Sequence, residues 1–113
     1  MRSQSFDVPI PPDVIVMAER AVARTGLFPD WQSLASEAIM SAKIRLESRR
    51  GEALQEWISV YGGHQAGSGT IVRVNMPSTV HRAMTRMSET TGENMFALAV
   101  LMHLDRMHQL RGF

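Results

Sequence analysis

With 113 residues, 44% of them hydrophobic, the chain has material for one small core and not for two independent ones. It has no cysteine, which excludes disulfides and thiolate metal sites, and a formal net charge of +1, which neither demands nor excludes a nucleic-acid partner because placement of charge matters more than its sum. No apolar run approaches the roughly 20 residues that span a bilayer, and the start "MRSQSFDVPIPPD" has no apolar signal core, so a soluble cytoplasmic protein with no membrane partner is expected.

In chain order, the first element is a short alternating segment in which Phe6, Val8 and Ile10 face one side and Ser5, Asp7 and Pro9 the other. Prolines follow, then a helix with apolar residues at Val14, Met17, Ala18, Ala21 and Val22, ended by Gly26. Asp13 or Pro12 serves its entrance. A second helix opens at Asp30, with Trp31, Leu34, Ala35, Ala38, Ile39 and Ala42 as its buried stripe. Beyond it, "ESRRGEALQEWISVY" reads as further helix that Gly51 breaks, and "GGHQAGSG" as a flexible linker.

The segment "TIVRVNMP" then repeats the opening pattern: Val72, Val74 and Met76 on one face, Ile71, Arg73 and Asn75 on the other. Pro77 and Ser78 open a helix with a stripe at Val80, Ala83, Met84 and Met87, closed by Gly92. The last helix starts at Asn94 and is apolar on two faces, Met95, Leu98, Ala99 and Met102 on one, Phe96, Val100, Leu104 and Met107 on the other, as for a helix enclosed on several sides.

The chain therefore contains an internal repeat. Residues 6–26 lie on residues 72–92 at a constant offset of 66, with Pro11 on Pro77, Arg20 on Arg86, and Thr25-Gly26 on Thr91-Gly92. A lone strand has no partner, and a unit of about 45 residues cannot enclose a core by itself, so the two copies are expected to fold together. The expected organisation is one intertwined domain over 1–113: a first repeat at 5–50, a connecting helix and Gly-rich linker at 51–69, and a second repeat at 70–113.

Strand, helix, helix, twice, with "TIVRVNMP", the Thr-Gly turn and the capped "ENMFALAV", resembles the ribbon-helix-helix (MetJ/Arc/CopG-like) superfamily over nearly the whole chain. The similarity is to its tandem single-chain forms, the TraY-type and T-DNA-transfer proteins. It implies a mostly α fold with a two-stranded antiparallel ribbon, a pseudo-two-fold single-chain pseudodimer, whose ribbon enters the major groove of double-stranded DNA. It places Arg73, Asn75 and Ile71, with Ser5, Asp7 and Pro9, at base edges, where arginine suits guanine and asparagine adenine. It places Asp30, Trp31, Asn94 and Met95, at the starts of the second helices, and Arg2 against phosphates. The implied function is transcription regulation, as a repressor, or an accessory role in conjugation of a plasmid or other DNA transfer. A homodimer or higher assembly would cover adjacent sites.

The residues also support other readings. Arg73 and Asn75 fit the solvated face of a hairpin, and Arg49, Arg50, Arg82 and Arg86 fit ordinary solvated charges. Two features sit poorly with DNA. Asp7 falls opposite Arg73 if the copies pair about a two-fold axis, forming an ion pair with the one cation of the ribbon. Pro9 is expected to weaken the ladder locally. The alternative function is a protein-interaction module on the same scaffold, with a relaxase, toxin or activator as partner. His64, His81, His103 and His108 show no metal-ligand spacing, and no nucleophile–base spacing or phosphate loop appears. Neither cofactor, metal nor catalysis is expected.

Overall fold

The computed structural model of the chain describes residues 3–49 and 51–110. Its elements run β1 (Ser3–Ile10), α1 (Pro12–Thr25), α2 (Trp31–Arg49), α3 (Gly51–Tyr61), β2 (Thr70–Pro77), α4 (Ser78–Thr91) and α5 (Met95–Arg106). The described residues are thus mostly helical, with one two-stranded sheet in which β1 and β2 run antiparallel. The register sets Ser5 opposite Asn75, Asp7 opposite Arg73 and Pro9 opposite Ile71.

The period of two decides which side of the ribbon is sealed. Val8, Ile10, Val74 and Met76 are buried, Phe6 and Val72 half-buried, and Ser5, Asp7, Arg73 and Asn75 exposed. Each strand ends at a proline that caps the next helix, Pro11 with ψ 143° and Pro77 with ψ 146°. Proline's fixed φ holds the chain extended up to that residue and is compatible with the helix that follows. The side-chain caps expected from Asp13 and Ser78 are absent: neither helix has a capping side-chain hydrogen bond. Both residues stand inside the first turn, past the position from which a side chain reaches back to free N–H groups. The Pro11 carbonyl instead accepts from the N–H groups of Val14 and Ile15.

The Thr-Gly pairs close α1 and α4 in the same way. Gly26 and Gly92 take left-handed φ values of 64° and 78°, and their N–H groups donate to the carbonyls of Val22 and Ser88. The hydroxyls of Thr25 and Thr91 donate four residues back, to Ala21 and Met87, and accept from the N–H groups of Leu27 and Glu93. The second helices also open alike. Asp30 accepts from the Ser33 N–H at 2.8 Å and Asn94 from the Ala97 N–H at 3.0 Å, the N-cap arrangement in which a short polar side chain satisfies an orphan donor.

The core lies between the ribbon and the helices, with α5 at its centre. Met95 to Val100 form an unbroken buried run, and Met102 and Leu104 extend it. α2 packs on α5 and β2, while α1 packs on α2 and α5. Leu34, Ala35, Ala38, Ile39 and Ala42 are buried as expected, whereas Trp31 is half-buried at the edge. α3 seats Trp57 in the core. The Tyr61 hydroxyl donates to Asp105 on α5, and burial with that carboxylate pushes the phenol up to about 12.

The segment "GGHQAGSG" departs from the expected flexible linker. Gln65 bridges to Glu93, the Ala66 N–H donates to the Gly92 carbonyl, and the Asn94 N–H donates to the His64 carbonyl. Asn94 Nδ2 donates to the Ser68 carbonyl at 2.8 Å, and the Gly63 N–H to Glu93 Oε1. The chain crosses the start of α5 here and is held by the polar groups of that helix end.

Candidate functional site

The exposed side of the ribbon is built from three cross-strand pairs. Ser5 Oγ donates to Asn75 Oδ1 at 2.7 Å. Arg73 Nε lies 3.2 Å from Asp7 Oδ1 in an ion pair, with the two side chains 74% and 59% exposed. Pro9 faces Ile71, which is 62% exposed. Backbone direction explains why these pairs are close. The Asn75 carbonyl accepts from the Ser36 hydroxyl of α2, and the Pro9 carbonyl from Asn94 Nδ2 at 2.9 Å. Both carbonyls therefore point away from the opposite strand, which makes the outward-facing pairs the non-hydrogen-bonded pairs of the ladder, where side chains approach most closely. This corrects the expectation for Pro9. At such a position its missing N–H faces outward, so proline removes no ladder bond.

Two second-helix starts flank the ribbon, and they differ. At α2, Asp30 is exposed and its carboxylate accepts from the Ser33 N–H; hydrogen bonding by the Ser33 hydroxyl, and next by its N–H, holds Asp30 below the usual carboxylate range. A cleft of about 560 Å³ runs from this end to the ribbon, lined among others by Ser5, Asp30, Ser36, Glu37, Arg73 and Asn75. Trp31, the first residue of α2, is half-buried. At α5 the expected phosphate contact by Asn94 and Met95 is corrected. Asn94 is 2% exposed and Met95 0%. The Met95 N–H donates to the buried Ser88 hydroxyl at 3.0 Å, and the Asn94 side chain is spent on Ala97, Pro9 and Ser68. Residues 62–69 cross this helix end, and its polar groups point inward. Arg2, the remaining candidate, lies outside the described residues.

The structure therefore brings Ser5, Asp7, Ile71, Arg73 and Asn75 together on one face, adds Asp30 and Trp31 on the α2 side, and removes Asn94 and Met95. Sequence reasoning missed Ser36, Ser88 and the stapling role of Asn94. Ser88 left a signal, since it falls four residues after Met84 on an apolar stripe. Beneath the ribbon, the His81 ring stacks on Phe6, centroids 4.1 Å apart, and lies 5.9 Å from Phe96. Among the described residues no three His, Asp or Glu side chains gather as a metal site, and no helix is long and apolar enough to cross a membrane. No protein-family model, curated protein or solved structure matches the chain.

Proposed function

We propose that the chain is a tandem ribbon-helix-helix pseudodimer that binds double-stranded DNA by laying its ribbon in the major groove. The observation that carries this reading is a two-stranded ribbon sealed by helices on one face, with Ser5, Asp7, Ile71, Arg73 and Asn75 exposed on the other. A two-stranded ribbon fits a groove about 12 Å wide. The pseudo-two-fold is supported by the register: Asp7 faces Arg73, its own counterpart at the repeat offset of 66. It is supported again by the carbonyls turned outward, since Pro9 and Asn75 are also counterparts and each is held by a second helix.

In this reading Arg73 takes guanine O6 and N7, Asn75 takes adenine, and Ile71 meets a thymine methyl. Phosphate contact is confined to the α2 side, through the backbone at Asp30 and Trp31. With Arg73 as the one cation of the two strands, the salt dependence of binding is shallow for one chain. Occupying a chosen site suits either a transcription regulator or an accessory factor in DNA transfer. The test is selection of bound duplexes from random DNA, followed by Arg73→Ala. The expected loss of affinity for the selected duplex is about 1–3 kcal/mol; unchanged affinity would remove the ribbon from DNA reading.

One observation favours a second reading, a module that holds a protein partner. Asp30 and Glu37 line the same cleft as Arg73, and carboxylates there oppose a phosphate backbone. Absence of any gel shift at low salt, on random and selected duplexes alike, would favour that reading.

A further inference from the structure

We infer that Asp7 and Arg73 act as one reading unit for a G·C base pair in a single orientation, so that this ion pair sets the direction in which the chain lies on DNA. The inference rests on the DNA-binding reading above. Asp7 is the positioning partner: it engages Arg73 through Nε, the inner edge of the guanidinium. That contact leaves the terminal Nη groups as the fork that meets guanine, and it draws the guanidinium toward the Asp7 side of the ribbon. The second carboxylate oxygen, Oδ2, has lone pairs left to accept a further hydrogen bond. A G·C pair presents in the major groove two acceptors on guanine, O6 and N7, next to one donor on cytosine, N4. Donors on Arg73 and an acceptor on Asp7 are the complement of that pattern. An inverted C·G pair sets donor against donor and acceptor against acceptor, and an A·T pair offers thymine O4 to the carboxylate.

The place of the couple in the fold gives this pattern its consequence. Asp7 and Arg73 occupy equivalent positions of the two repeats and face each other at the centre of the ribbon. In a symmetric ribbon the two would be identical and blind to direction. Here they carry opposite charges, so the centre of the contact face distinguishes the two DNA strands. The carboxylate also discourages Arg73 from resting on phosphate, which trades general affinity for discrimination.

The experiment uses the full chain and the duplex selected from random DNA. The relevant base pair is the one at which Arg73→Ala erases discrimination, and it is presented as G·C, C·G and A·T. The parent is expected to prefer one orientation of G·C by about tenfold or more over the other two. Asp7→Asn is expected to bring that preference within about threefold while binding random duplex as well as the parent or better. The exchange Asp7→Arg with Arg73→Asp is expected to prefer the inverted pair. A merely structural role for Asp7 would move none of these preferences, and matching thermal midpoints check that the variants fold, since exposed ion pairs contribute little to stability. If Asp7→Asn keeps the full orientation preference, or the exchange keeps the original one, the inference is overturned and DNA reading by the ribbon stands. If no duplex is selected and none is bound at low salt, the DNA reading fails and the inference with it.

Discussion

His81 shows how a single side chain ties the ribbon to the helices. Its ring lies between Phe6, on the inner face of β1, and Phe96 on α5, stacked nearly parallel to the first with an interplanar angle of 8°. Burial among these rings pushes its pKa below the ordinary value of 6.5. His103, edge-on to Phe28, is lowered chiefly by burial too, with Glu37 acting in the opposite sense. A histidine whose folded pKa is depressed stabilises the fold fully above its unfolded pKa, and that contribution is lost as pH falls through the folded value, because the unfolded chain takes the proton first. The urea midpoint is therefore expected to decline as pH drops below 6.5, well before the carboxylates titrate. Asp30, also depressed, acts only below about 3.8. His81→Phe is expected to flatten part of the decline near pH 6. A midpoint constant from pH 7 to pH 5 would contradict the assignment of these rings to the neutral state.

At the scale of elements, what the sequence disclosed is what short-range chemistry decides. Thr25-Gly26 and Thr91-Gly92 marked two helix ends because the left-handed turn and the back-bonding hydroxyl are local. Asp30 and Asn94 marked two helix starts for the same reason, and the stripes of α2 and α5 followed from periodicity. The outward face of Ser5, Asp7, Arg73 and Asn75 was legible from the alternation of β1 and β2. Features set by distant parts of the chain were not legible. Pro9 was harmless only because of the ladder position that Asn75 and Ile71 assign it. Asn94 was a helix cap in sequence, but in the fold it also holds the Pro9 and Ser68 carbonyls, which buries the helix start proposed for phosphate. The order of residues 62–69 depended on the same contacts. Gly69 tests that order. Its φ is +127°, and a Cβ there would meet the carbonyl carbon of Ile10 at 2.6 Å and the Pro11 nitrogen at 2.7 Å, both backbone. Gly67, at φ +80°, has open space around the same position. Gly69→Ala is expected to cost about 1–3 kcal/mol and more than Gly67→Ala, which carries conformational strain alone. Equal urea midpoints for the two variants would mean that the segment is not packed against the end of β1.

At the scale of the whole molecule, each half lacks what the other supplies. Among the described residues β1 has only β2 to pair with, and the buried side chains of β1 and α2 close on those of β2 and α5. α5, the most enclosed helix, touches α1, α2, α3 and β1 as well as α4. A two-stranded ribbon without its partner strand is marginal, and a helix as apolar as α5 exposes too much surface when uncovered. The segments 1–50 and 70–113 are therefore each expected to be unfolded as separate peptides, with weak helical circular dichroism and no cooperative melt. Mixed together they are expected to regain helix content in a concentration-dependent way, since α3 and residues 62–69 then act mainly by raising the effective concentration of one half for the other. The mixture should be less stable than the single chain, because Trp57, Tyr61 and the contacts that cross Asn94 are lost with the connector. A cooperative melt from 70–113 alone would show that the second half closes its own core, and mutual dependence of the halves would then no longer account for the pairing of β1 with β2.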